Sequence, residues 1–241
     1  MEKMYIFHHQ GMGDQFLCNG LVRHFAESNR IVTFARPLFK KNVEFMYRDN
    51  PNIEVKCMEV DDAKRFMQFL DKKHLIAGFT NEYIRKVDIE KSVKFDAMFY
   101  QMAGIPLEYK WSKFYFERDL EKEKEVFYNI VGLKDGEEFM FVCDDPSRNR
   151  IFKSKYLDKG IRIIRPNDFR DVGIMEFIYT IEKAKEVHVH SSGFSCMLDS
   201  MDFTHPNLFY HHYIGYNPEK TGLLPHYDHS IKKDKWVFLT E

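Results

Sequence analysis

Two stretches carry backbone and side chains of the kind that hold and activate small polar substrates. One, from Tyr5 to Phe25, reads YIFHHQGMGDQFLCNGLVRHF; the other, from Val187 to Met201, reads VHVHSSGFSCMLDSM. In both, an apolar run leads into small residues and then into apolar residues at helical spacing. A strand, a small-residue turn and a helix start let backbone N–H groups and a helix dipole hold an anion. The first turn is Gly11-Met12-Gly13-Asp14, followed by Gln15. Gly11 and Gly13 allow the backbone to approach a ligand, and a carboxylate at Asp14 suits a general base acting on a hydroxyl. The same carboxylate also satisfies the dipole of its own helix with no ligand involved. The dinucleotide fingerprint requires a third glycine where this chain has Phe16, which argues against a nicotinamide site. His8 and His9 are neighbours on a strand and point to opposite faces, so they do not form a metal pair. One of them is packed, and His9 joins Gly11, Gly13 and Gln15 as a candidate substrate contact.

The second turn, His190-Ser191-Ser192-Gly193, stands at the carboxyl end of a strand, where ligands bind in open α/β sheets. Its hydroxyls and successive N–H groups can hold a diphosphate without a metal, although a plain serine cap gives the same pattern. Ser192 is outside a GxSxG elbow and has no evident acid partner, so a hydrolase triad has little support. The loop DDPSRNRIFK, Asp144 to Lys153, also follows a strand. Its Arg148, Arg150 and Lys153 are candidates for neutralising phosphate charge. Arg165, at the next strand end, is a candidate for a base or ribose wall. Glu176, in the first turn of a helix, either answers the dipole or accepts from a ribose hydroxyl. His211, His212, His226 and His229 lack a regular ligand spacing, and no metal site is expected.

The elements that must position these residues alternate. Met4–His8, Ile31–Ala35, Ile53–Val60 and His74–Phe79 read as strands, with helices after the first turn, over Asn42–Arg48 and from Asp61. Phe66, Phe69 and Leu70 are the expected buried face of that last helix. Another helix spans Phe95–Ala103 and stops at Gly104. Pro106–Asp119 is irregular and aromatic, the candidate linker, and a charged helix covers Leu120–Val131. The plan then restarts with strands at Phe139–Cys143, Ile161–Ile164, Val187–His190 and Leu208–Tyr210. Helices cover Ile174–Ala184, with Met175, Ile178, Ile181 and Ala184 as the buried stripe, and Phe194–Met201. Alternating strands and helices predict an α/β protein with parallel sheets, organised as two small Rossmann-like domains at residues 1–119 and 120–241.

Apolar residues make up 44% and charged residues 30% of the 241, enough for a sizeable core. The net charge of -1 leaves no basic excess for a nucleic-acid partner. Cys18, Cys57, Cys143 and Cys196 are scattered, without zinc-like spacing, and read as free thiols in a reducing compartment. No run approaches the roughly 20 apolar residues of a membrane span. A cytoplasmic protein without an integral membrane segment is expected.

Strand–GMGD–helix near one end and IEKAKEVHVHSSGFSCMLDSM, Ile181 to Met201, near the other resemble the glycosyltransferases of GT-B type, the heptosyltransferase-like group in particular. The resemblance implies two Rossmann-like domains facing across a cleft, the first taking the acceptor and the second a nucleotide-sugar. It implies Asp14 as the base, and Ser191, Ser192 and Gly193 at the donor diphosphate. His190, Arg148, Arg150, Lys153, Arg165 and Glu176 are the further candidate donor contacts. The implied activity is metal-independent transfer of a sugar to a glycan or other hydroxyl acceptor, in carbohydrate biosynthesis. The nucleotide-sugar would be a substrate, so no cofactor is expected. Two rivals remain: a pyruvyl- or other group transferase on a similar frame, and a non-catalytic sugar- or nucleotide-binding module.

Overall fold

The computed structural model describes residues 1–78, 94–145, 149–157, 160–213 and 230–240. The chain divides into two compact units, one holding a four-stranded sheet and the other a five-stranded sheet.

In the first unit the strands are β1 (Glu2–Phe7), β2 (Asn29–Ala35), β3 (Ile53–Cys57) and β4 (His74–Ile76). They run parallel in the order β3-β2-β1-β4. Parallel strands covered on both faces read as continuous apolar runs, and β1 ends in four consecutive buried residues, Met4 to Phe7. Tyr5, Phe7, Val32 and Phe34 form one face with Ala63 and Met67. The last two come from a helix over Val60–Gln68. Phe66 and Leu70 pack at the margin of that cluster, as expected, but Phe69 is 86% exposed. The helix stops at Gln68, and Phe69 takes the non-helical cap position with its ring in solvent. Of the strand expected over His74–Phe79, Phe79 lies outside the described residues.

The supposed linker belongs to this unit up to Glu117, and its Lys110 and Phe116 are buried. A short helix at Tyr109–Ser112 packs on the one at Asn19–Ala26. Gly20 permits the contact, since a Cβ there would stand 2.0 Å from the Tyr109 carbonyl oxygen. Lys110 is fully buried with its ammonium 2.8 Å from the equally buried Asp96 carboxylate. The same ammonium donates to the Ser230 carbonyl. Ser230 returns its N–H and hydroxyl to Asp96 at 2.8 and 3.0 Å. A lysine in a polar, aromatic stretch reads as surface, and only the tertiary pairing with Asp96 reveals otherwise.

In the second unit β5 (Phe139–Cys143), β6 (Arg162–Ile164), β7 (Glu186–Val189), β8 (Leu208–His211) and β9 (Val237–Leu239) are parallel in the order β6-β5-β7-β8-β9. The strand at β8 is thus not the last. β9 escaped notice because three residues in a weakly patterned tail carry too little periodicity. Met175, Ile178, Ile181 and Ala184 are all buried, as their spacing predicts. Their segment is a 3-10 turn at Ile174–Phe177 followed by an α-helix at Ile178–Lys183. The charged helix likewise splits into an α segment, Leu120–Glu125, and a π-helical turn, Val126–Ile130.

Strand order fixes where each sheet offers a ligand site. In the first sheet the chain winds outward through β1, β2 and β3, then crosses back to β4 on the other side of β1. In the second it goes from β5 to β6 and returns to β7 on β5's other side. Such reversals open a crevice at the carboxyl ends of the flanking strands. The Gly11–Asp14 turn follows β1 and the Ser191–Gly193 turn follows β7, each at its own sheet's reversal.

Candidate functional site

In the first unit β1 delivers the chain into His8, His9 and Gln10. His8 is 2% exposed, and its Nδ1 lies 2.6 Å from the His9 carbonyl oxygen. Burial lowers its pKa to about 4, leaving the ring neutral near pH 7. His9 is half-buried, its ring 5.2 and 5.4 Å from those of Phe95 and Phe99 and its Nε2 bonded to the Gly78 carbonyl.

Gly11 is the extended residue before the helix at Met12–Leu17 and donates its N–H to Asp14 Oδ2 at 3.1 Å. A Cβ on Gly11 would come within 2.6 Å of that oxygen, so glycine lets the carboxylate close back onto the turn. Gly13 lies half-buried in the first helical turn. Burial pushes the Asp14 carboxyl up to about 6, opposed by the Gly11 N–H bond, and no ion pair offsets it among the described residues. Such a group is ionised near pH 7 yet far more basic than an exposed aspartate, the balance a general base needs. Gln15 does not join this surface. Its side chain is fully buried and donates to the Phe34 carbonyl of β2 at 2.9 Å, because its position on the helix faces the sheet.

In the second unit β7 leads into His190, which is 1% exposed with Nδ1 2.9 Å from the Ser191 carbonyl oxygen. Ser191 is exposed, and Ser192 and Gly193 are half-buried at the start of the eight-residue helix Gly193–Ser200. The Ser192 N–H is already taken by the Ser195 hydroxyl at 3.0 Å, which in turn donates to the Ser192 carbonyl at 2.9 Å. That amide is therefore not a ligand donor.

Arg148 lies outside the described residues. Arg150 is anchored by a two-way backbone pair with Asp145, both bonds 2.8 Å, next to Asn149 in the left-handed region at φ 55°. This closes the loop and brings the Arg150 guanidinium 3.5 Å from the Ser191 carbonyl oxygen. The structure thus assembles Arg150 with the serine turn. The Lys153 N–H bonds the Tyr213 hydroxyl at 3.1 Å, and its ammonium lies 4.8 Å from that ring's centre. Arg165 straddles both oxygens of buried Asp144 at 3.2 Å, and Asn167 donates to the Asp144 carbonyl. Glu176 accepts from the Gly173 N–H at 2.9 Å, the helix-start role.

One network here was invisible in the sequence. His188 bonds Glu186 at 3.1 Å and His211 at 2.9 Å, and His211 bonds the Tyr213 hydroxyl at 2.8 Å. The Phe152 ring stacks on His211 at 3.8 Å. His188 stands on β7 and His211 on β8, so the pair forms only across the sheet. Among the described residues no group of three or more His, Cys, Asp or Glu is arranged to hold a metal ion. No described helix is long and apolar enough to cross a membrane.

The chain matches two solved structures over nearly its whole length. A glycosyl transferase family 9 protein from Veillonella parvula DSM 2008 shares 11% identity at a TM-score of 0.56, with 99% of this chain and 86% of that one covered. The E. coli ADP-heptose lps heptosyltransferase II shares 12% at a TM-score of 0.53, with 98% and 90% covered. No protein-family model matches the sequence, and no curated protein matches it. At such identities the likeness is one of architecture: the chain has the two-sheet α/β fold of these GT-B-like glycosyltransferases.

Proposed function

We propose that the protein is a glycosyltransferase that moves a sugar from a nucleotide-diphospho-sugar to an acceptor hydroxyl. Asp14 takes the proton from the acceptor, and the Ser191–Gly193 turn with Arg150 and Lys153 stabilises the departing diphosphate, cationic side chains serving in place of a metal. The observation that carries this reading is the Asp14 carboxylate, held at a helix start with its pKa raised to about 6 and no cation upon it among the described residues. A purely structural aspartate at a helix start gains from ionisation and has its pKa lowered. The shared fold and the cationic loop at the second sheet's reversal support the rest.

The test is release of nucleoside diphosphate from a panel of nucleotide-sugars, with and without hydroxyl acceptors, by wild type and Asp14→Ala. Acceptor-dependent release that falls about 100-fold or more in the variant supports the reading. Turnover of a pyruvyl or phosphoryl donor in place of every nucleotide-sugar assigns another transfer chemistry. Binding without turnover, unchanged in Asp14→Asn, assigns a binding module.

A further inference from the structure

Beside the Asp14 turn stands a residue that the roles above leave unused. Gln10 is 3% exposed, and neither its Nε2 nor its Oε1 has a hydrogen-bond partner among the described residues. His8, two residues earlier and 2% exposed, has no partner at Nε2. Two residues apart, their Cα atoms stand at most about 7 Å from each other, and both side chains are buried while that of His9 between them is half-buried. With its Nδ1 turned to the His9 carbonyl, the neutral His8 ring presents Nε2 as a lone-pair acceptor. Gln10 adds an amide donor and an amide acceptor. A folded chain rarely keeps three buried polar atoms unsatisfied unless something else satisfies them. Gln10 directly precedes Gly11, the first residue of the Asp14 turn.

Resting on the glycosyltransferase reading, we propose that Gln10, with His8, grips the acceptor, and that the acceptor is a polyol of the carbohydrate class. One hydroxyl donates to His8 Nε2. A neighbouring hydroxyl both donates to and accepts from the Gln10 amide, and a third polar group is presented to Asp14. A lipid or phenol with a single hydroxyl leaves the amide unsatisfied. Gln10 therefore costs the free protein stability and regains it on binding, which separates its role from a structural one.

Thermal melting with methyl glycosides at about 100 mM tests this, with nucleoside diphosphates on the same plate. For wild type we expect a rise of roughly 3 °C with at least one glycoside bound tenfold above its dissociation constant. Gln10→Met should melt about 2–4 °C higher than wild type without ligand, since it removes the unpaired amide at similar volume, and should lose the glycoside shift. A Gln10→Met protein that is less stable or unfolded overturns the proposal. So does a glycoside shift equal in Gln10→Met and wild type, or no glycoside shift in wild type. A nucleotide shift persisting in those cases leaves the donor reading standing, whereas its loss removes that reading as well.

Discussion

The two turns share a plan and differ in charge. Each follows a middle strand of a parallel sheet, sits where the strand order reverses, and opens a helix. The Gly11–Asp14 turn carries a half-buried carboxylate that no cation among the described residues neutralises. The Ser191–Gly193 turn carries hydroxyls and draws in Arg150 from the neighbouring loop. The backbone plan of the two turns is alike; side chains give one a carboxylate and the other hydroxyls beside a guanidinium. The local bonds differ in the same sense. In the first turn the carboxylate accepts a backbone N–H through one oxygen, while in the second a serine hydroxyl accepts an amide and fixes the turn's shape.

Replacing Asp14 should have the largest effect. Asp14→Ala is expected to lower kcat by about 10²–10⁴-fold, measured by product formation at saturating substrate. Wild-type turnover should rise with pH through about 6 as the base ionises, and Asp14→Asn should abolish that limb. Stability should respond the opposite way. Because the folded pKa is raised, the folded state binds this proton more tightly, so its contribution is present below about pH 4 and is lost as pH climbs towards 6. Urea titrations of wild type and Asp14→Asn from pH 4 to 7 should show the variant lacking that loss. His8, with its pKa lowered to about 4, contributes the reverse slope over part of the same range, which is why the variant is the necessary reference.

Arg150→Ala comes next, with nucleotide affinity expected to fall about tenfold or more by calorimetry, as for a charge-assisted bond. Equal weakening of acceptor affinity would erase the distinction between the turns. Gly11→Ala should cost several-fold in kcat, because its Cβ displaces the Asp14 carboxylate, and should add nothing in an Asp14→Asn background. Ser195→Ala should be the smallest effect, about 1 kcal/mol of stability from the lost cap, read by denaturant melts.

Much of the first turn was legible in the sequence, since glycines and a carboxylate between an apolar run and a helical pattern are local signals. Gln15 misled because adjacency to Asp14 looks like shared function, whereas one helical residue turns a side chain by roughly 100° and into the sheet. Gln10 was overlooked, being undistinguished in type and notable only once its burial and missing partners are seen. In the second unit the turn was legible but the status of its cations was not. Arg165 and Arg150 look alike in sequence, yet one is committed to buried Asp144 and the other reaches the serine turn. Phe69 and Lys110 failed in opposite directions, an aromatic ring left in water and an ammonium placed in the core. In both, tertiary contacts overrode residue type.

The most direct test of the account is melting of wild type, Arg150→Ala and Asp14→Asn against UDP, GDP, ADP and CDP. The account predicts that one nucleotide family stabilises wild type, by roughly 2.7 kcal/mol at 100 times its dissociation constant. It further predicts that Arg150→Ala loses most of this and that Asp14→Asn keeps it. No stabilisation by any nucleotide, or a shift lost with Asp14 and kept without Arg150, would contradict it.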